Sequence, residues 1–341
     1  MRHACLAFLL IVRITAAGAF EIEESHLYPG GDTELRILST ADSEVFDPII
    51  RAFQSENPGL SITYDVASSA QVMTALYREG AAYDLAISSA MDLQTKLAND
   101  GLALAYRSEA TARLPGWARW RDRVFAFTQE PAVLVINEAA LAGLELPHNR
   151  EGLIALLRGN PGIFDGRIGT YDVRISGLGY LFATQDSRNT ESYWQLTEIM
   201  GRLNTRLYCC SGDMIAAVAR GELALAYNVL GSYARARLAE TPGIRIIEME
   251  DFVSVMLRTA LIPQTAVATE EAGRMIDFLA GMRSRPELAA QSGLPPVDLD
   301  ESDANAAVVR PIRLGPGLLV FLDRMRRDTF LRSWVSSVEQ D

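Results

Sequence analysis

Residues 33–59 read TELRILSTADSEVFDPIIRAFQSENPG: a short apolar run ending in two hydroxyls, then apolar residues at helical spacing until Asn57-Pro58-Gly59 stops them. The same unit recurs twice at once. SITYDVAS is followed by AQVMTALYREG, and YDLAISS by MDLQTKLANDG. Three strand-helix units in succession predict a parallel sheet with helices on its faces, the α/β class.

A second series begins after FTQEPAVLVIN (127–137). It contains RIGTYDV, the Gly-rich SGLGYLFATQD, the helical ESYWQLTEIMGRL, then RLYCC, SGDMIAAVARGE, LALAYNV and GSYARARLAE. A third stretch, IRIIEMEDFVSVMLRTALIPQTA, reads as extended and precedes the helix EEAGRMIDFLAGMRS. After Gly315-Pro316-Gly317 comes the amphipathic LLVFLDRMRRDTFLRSWVSSV. Long extended segments near 130 and 257 imply that the chain passes between two α/β lobes twice. The expected division is a first lobe over 33–130, a second over 131–252, and a return over 253–341 that completes the first lobe and adds C-terminal helices. Residues 20–32 form an N-terminal tail.

The first nineteen residues, MRHACLAFLLIVRITAAGA, carry a basic start, a short apolar run and a small-residue end. This is the pattern of a secretory signal cleaved before Phe20, and it places the protein in the periplasm. The 341 residues, 49% hydrophobic, suffice for two cores. A net charge of −11 argues against nucleic acid or an anionic membrane as partner. It leaves open a small anion held locally by backbone N–H groups and an arginine.

Strand after strand ends in hydroxyl or amide residues: Ser39-Thr40, Ser68-Ser69, Ser88-Ser89, Thr170, Asn228, and Ser211 just after RLYCC. In open α/β sheets ligands bind beyond the carboxyl ends of the strands. A single such residue is read as a helix cap worth about 1 kcal/mol; six positions, all at strand ends, favour a polar cleft between two rims. Many donors and little positive charge suit a small oxygenated anion, phosphoryl or carboxyl. Arg174 is the strongest cationic candidate, with a surface pair to Asp172 as its alternative reading. Tyr171, Tyr180, Tyr227 and Tyr233 could cover carbon-chain faces or serve as half-buried core residues.

Catalytic patterns are missing. His3, His26 and His148 are not placed to activate a nucleophile, and no G-x-S-x-G, Walker A, HExxH or CxxC occurs. The acidic run at 298–303 has Asp303 where an EF-hand needs Gly and Val309 where it needs Glu, so it is read as a solvated loop. No cofactor and no metal is expected. An enzyme using Glu130, Asp172 or Asp213 as a base on a phosphorylated metabolite is the alternative that the cleft alone would support.

Cys209 and Cys210 are adjacent, and Cys5 would leave with the signal. Consecutive Cα atoms lie about 3.8 Å apart, short of the roughly 4.4–6.8 Å usual for disulfides. Two reduced, packed thiols are therefore expected ahead of a vicinal disulfide, with Ser211 as N-cap of the following helix.

YDLAISSAMDLQTKLANDG, VFAFTQEPAVLVIN, GTYDVRISGLGYLFATQD, LYCCSGDMIAAVARGELALAYNVLGSYA and IRLGPGLLVFLDRMRRDTFLRSW together resemble the bacterial extracytoplasmic solute-binding proteins of type II topology, in the ferric-ion-binding structural group. They are most similar to the branch encoded with two-component sensor kinases, such as the phosphoglycerate transport regulatory protein. The resemblance implies two lobes hinged by the crossovers, closing as a monomer on one small ligand. It implies an ABC permease or the periplasmic domain of a sensor histidine kinase as partner. Iron-binding members use adjacent tyrosines, whereas here Tyr227 precedes Asn228, so iron is not carried over. By motif, Ser39, Thr40, Ser69, Ser89, Ser176, Gly177 and Ser211 match positions that hold phosphate in relatives. Ser68, Ser88, Glu130, Thr170, Tyr171, Asp172, Arg174, Gly212, Tyr227 and Asn228 complete the candidate ligand-binding set.

Overall fold

A computed structural model describes residues 20–238, 241–298 and 308–340. The expected signal at 1–19 and all of the acidic run but Asp298 lie outside them. Among the described residues no helix is long and apolar enough to cross a membrane.

The first lobe is built on β1 (Glu24–Tyr28), β2 (Thr33–Ser39), β3 (Leu60–Val66), β4 (Leu85–Ser88), β5 (Arg119–Trp120) and β6 (Val124–Ala126). The second carries β7 (Glu130–Asn137), β8 (Ile168–Tyr171), β9 (Arg206–Tyr208), β10 (Leu225–Leu230), β11 (Ile244–Ile247) and β12 (Val253–Met256). The chain then returns through β13 (Thr259–Leu261) to the first sheet and later adds β14 (Val309–Pro311) to the second. The first sheet has the order β1-β3-β2-β4-β13-β6-β5, and the second β14-β12-β7-β10-β8-β9 with β11 on β7.

Strand β2 pairs parallel with both β3 and β4, as the repeated strand-helix units require, and the returning β13 is antiparallel to β4. The helix Ser43–Glu56 turns Phe46, Ile49, Ile50 and Phe53 into the core, at the spacing that puts side chains on one helical face. Phe46 stacks on Tyr64 of β3 at 5.3 Å between ring centroids. Burying each such side chain is worth about 1.5–3 kcal/mol. In the second lobe Leu153, Leu157, Phe164, Ile168, Leu196 and Leu225 form the equivalent core.

Two of the passages between the lobes are short and adjacent: 127–129 between β6 and β7, and 257–258 between β12 and β13; the chain passes again to reach β14, Pro316–Leu322 and Arg324–Val338. The two short segments run side by side, with Phe127 N–H donating to the Arg258 carbonyl at 3.0 Å and Arg258 N–H to Thr128 Oγ1 at 3.2 Å. The crossing therefore falls after Met256, not at the expected 252/253 boundary, because β12 pairs antiparallel with β7 and stays in the second sheet. The tail at 20–32 also contains a strand, since β1 pairs antiparallel with β3.

The C-terminal region likewise differs from a simple completion of the first lobe. The 3-10 helix Pro316–Leu322 packs on the first-lobe helix Met91–Asn99, whereas the helix Arg324–Val338 packs on Ser192–Arg202 of the second lobe. The single amphipathic run read from the sequence is broken at Asp323. Its side chain accepts from Arg326 N–H and starts a new helix there.

Candidate functional site

Between the lobes lies a cleft of about 500 Å³. Its first-lobe wall comes from the turns that follow β2, β3 and β4, and its second-lobe wall from those that follow β8, β9 and β10. Thr40, Ser68, Ser69 and Ser89 line one side, and Tyr171, Ser176, Ser211 and Gly212 the other, with Cys209 and Cys210 beside them. These are strand-end residues brought face to face.

Their bonds show what remains available. Thr40 Oγ1 accepts from Ser89 N–H at 3.0 Å, cross-linking two turns of the first lobe. Ser68 caps the helix Ser69–Met73 through Gln71 N–H. Ser211 Oγ accepts from Leu230 N–H and meets the Tyr171 hydroxyl, so it is held inside the second lobe. The helix Ser211–Ala219 has Cys210 at its cap without a side-chain capping bond, one residue before the expected Ser211. Its first N–H groups have no intrahelical acceptor and make the cleft attractive to anions. Cys209 and Cys210 are joined as a vicinal disulfide, in place of the reduced pair expected.

The floor of the cleft is Arg258, a residue the sequence reading left inside an extended stretch. Its Nε donates to Glu130 Oε1 at 2.9 Å and its Nη2 to Glu130 Oε2 at 3.1 Å. Both side chains are buried, at 1% and 0% exposure, so neither charge is diluted by water. Thr128 and Ser232 donate to the same carboxylate. That uses one edge of the planar guanidinium. Nη1 points away from Glu130, is buried, and has no hydrogen-bond partner. A buried unpartnered N–H of a cation is costly, and an acceptor brought against it would satisfy it. No local sequence motif marks Arg258; only the pairing of β12 with β7 brings it opposite Glu130.

Several expected site residues lie elsewhere. Ser39 and Ser88 are buried and accept from Ala41 and Ala90 N–H, shaping the turns without lining the cleft. Glu130 lies beneath Arg258. Arg174 is held outside the cleft by Asp172, at 2.7 and 2.8 Å, and by Glu339 at 2.6 Å; the guanidinium holds the Asp172 carboxyl below its ordinary range against the opposing effect of burial. Thr170, Tyr227 and Asn228 belong to the second-lobe interior. There Tyr227 Oη and Asn228 Nδ2 donate to Asp186 at 2.8 and 2.9 Å, and Arg150 Nε donates to Tyr227 Oη at 3.0 Å. Asn228 stands at φ 62° where the register of β10 on β7 shifts, a conformation asparagine tolerates.

Among the described residues, hydrogen bonds cross the cleft at two places. Gly177 N–H donates to Ser69 Oγ at 2.9 Å, and Asp42 N–H to Tyr233 Oη at 3.2 Å. The lobes are thus in contact at both walls.

Two α/β lobes joined by paired crossover strands, with a polar cleft between them, define a two-lobed binding protein of the type II periplasmic fold. The chain belongs to the bacterial extracellular solute-binding protein family, whose model matches residues 35–291. This is a family of binding proteins, not enzymes. Among solved structures, the substrate-binding protein of an ABC transporter from Agrobacterium tumefaciens is 31% identical with a TM-score of 0.86, covering 92% of this chain and 98% of that one. The periplasmic binding protein AfuA from Actinobacillus pleuropneumoniae, with fructose-6-phosphate bound, is 14% identical with a TM-score of 0.69, covering 91% and 100%. Iron-bound HitA from Pseudomonas aeruginosa is 18% identical with a TM-score of 0.67, covering 89% and 99%. These last two establish likeness of fold alone. No curated protein matches the chain significantly.

Proposed function

We propose that this protein is the periplasmic receptor of an ABC importer and captures a small oxygenated anion, a phosphorylated metabolite or organic acid, between its lobes. The observation that carries the reading is the free Nη1 of Arg258 at the cleft floor. The open N-terminus of the helix Ser211–Ala219 supports it. A ligand touching both walls would favour the closed arrangement in proportion to its contacts with each lobe. The closed form would then be what the permease recognises. A sensor kinase would be served by the same closed surface. The solved relative from an ABC transporter favours import as the first reading.

Iron is not the proposed cargo. Tyr227 is buried and its hydroxyl is committed to Asp186 and Arg150.

The test is Arg258→Lys, which retains a charge for Glu130 but loses the planar fork. Affinity for a phosphate or carboxylate ligand should fall by roughly tenfold or more, the usual loss with a charged hydrogen bond. A melting curve near the parent's confirms folding. A folded variant with unchanged affinity would overturn the assignment of Arg258 to the ligand.

A further inference from the structure

The cleft is not uniformly cationic. The first-lobe wall carries Glu23, Glu24 and Asp42, and the second lobe adds Arg237 to the lining; the charges of Arg258 and Arg237 both act on Asp42. Asp42 occupies the N-cap of the helix Ser43–Glu56, where an aspartate ordinarily bonds an N–H of the first turn, yet its side chain makes no capping bond. It lines the cleft instead, hydrogen-bonded with the Tyr233 hydroxyl. Glu24 is bonded by Ser43 and faces His26 at 3.3 Å. Among the described residues the Glu23 carboxylate is hydrogen-bonded by the Ser68 backbone and by no side chain. Burial first, and then the charges of Asp42, Glu21 and Glu24, push the Glu23 carboxyl above its ordinary range. Burial likewise raises Asp42, against the opposing pull of Arg258. Like charges crowded in a partly desolvated wall are relieved by a cation and not by a neutral hydroxyl. The buried Nη1 of Arg258, whose charge reaches Asp42, is the sign that a ligand completes this cleft.

Resting on the anion reading above, we infer that the ligand is a zwitterion: an oxyanion set against Arg258, joined by a short chain to an ammonium group that lies among Asp42, Glu23 and Glu24. The anion end can be a phosphoryl or a carboxyl group. The ammonium end is what the acidic wall selects.

Calorimetric titration of the full mature chain near neutral pH tests this with two matched pairs, ethanolamine phosphate against ethyl phosphate and β-alanine against propionate, and with glycerol 3-phosphate as the hydroxylated control. The amine-bearing member of at least one pair should bind about tenfold or more tighter than its partner and than glycerol 3-phosphate, as expected for a charged hydrogen bond gained. Asp42→Asn should remove that preference while the amine-free anion binds as before. Equal affinity within both pairs, tighter binding of glycerol 3-phosphate, or a preference that survives Asp42→Asn combined with Glu23→Gln would overturn the zwitterion but leave the anion reading standing. Binding by none of the five would overturn both. The melting temperature of each variant separates loss of recognition from loss of fold.

Discussion

At the scale of single residues, Arg258 and Arg174 show how far composition and spacing reach. Arg174 stands between a strand end and a helix start, the right kind of place for a ligand-binding cation. However, Asp172 lies two residues away and a carboxylate from the C-terminal helix completes its pairing. Arg258 lies in an unremarkable extended run, and its partner Glu130 is 128 residues distant. Long-range pairing of this kind leaves no periodic trace in a sequence. Tyr227 and Asn228 are the converse case. They were expected at a strand end, but β10 runs on to Leu230, and Asp186 of the earlier helix Gly177–Asn189 holds them in the interior. Asp92 was singled out by nothing in the sequence. It is buried in the first turn of the helix Met91–Asn99, its Oδ1 has no partner, and burial pushes its carboxyl up to about 7. The native state therefore holds this proton more tightly than the unfolded chain, whose aspartates titrate near about 4. The stability it contributes is full below that value and is lost as pH rises through about 7. Asp92→Asn should accordingly melt higher than the parent at about pH 8 and show a smaller loss of melting temperature between about pH 5 and pH 8. Parallel pH profiles for the two proteins would refute this.

At the scale of elements, the strand-helix alternation was legible because each unit carries its own punctuation: an apolar run, a hydroxyl, a periodic stretch, then Gly or Asn-Pro-Gly. The rim residues Thr40, Ser68, Ser69, Ser89 and Ser211 could be read as belonging to a cleft for the same reason, and Ser176 through the family resemblance. Their individual bonds could not. Whether a serine caps, bridges or remains free depends on which loop packs against it, as with Ser69 and the Gly177 N–H of the opposite lobe. That contact has a consequence for closure. A Cβ on Gly177 would lie 2.5 Å from Ser69 Oγ and 3.1 Å from the Cβ of Ala90, both on the other lobe. Gly177→Ala should leave each lobe folded and prevent this approach. Solution scattering should then give a radius of gyration larger than that of the ligand-bound parent, even with ligand added. An identical compact profile would show that the wall yields without cost.

At the scale of the whole molecule, the two lobes and the crossings near 130 and 257 were visible as two α/β series separated by extended segments, but the later passages to β14, to Pro316–Leu322 and to Arg324–Val338 were not. The allocation of strands near the hinge was not. β12 and β13 are separated by two residues yet belong to different sheets, and no change in composition marks the switch. The buried Arg258–Glu130 pair sits where the two crossovers run together, with Glu130 directly after the first and Arg258 at the end of the second. Under the proposed function, ligand recognition and hinge geometry share one side chain. An anion that engages Nη1 touches the residue about which closure must turn. The central claim is that this cleft holds a small oxygenated anion through Arg258. Native mass spectrometry of the protein taken from periplasm without refolding tests it most directly, with parent and Arg258→Lys compared against their denatured masses. The account predicts a small-molecule adduct on the parent, bearing a phosphoryl or carboxyl group, that is lost or sharply reduced in the variant. A bare parent, or an adduct retained equally by both proteins, would contradict it.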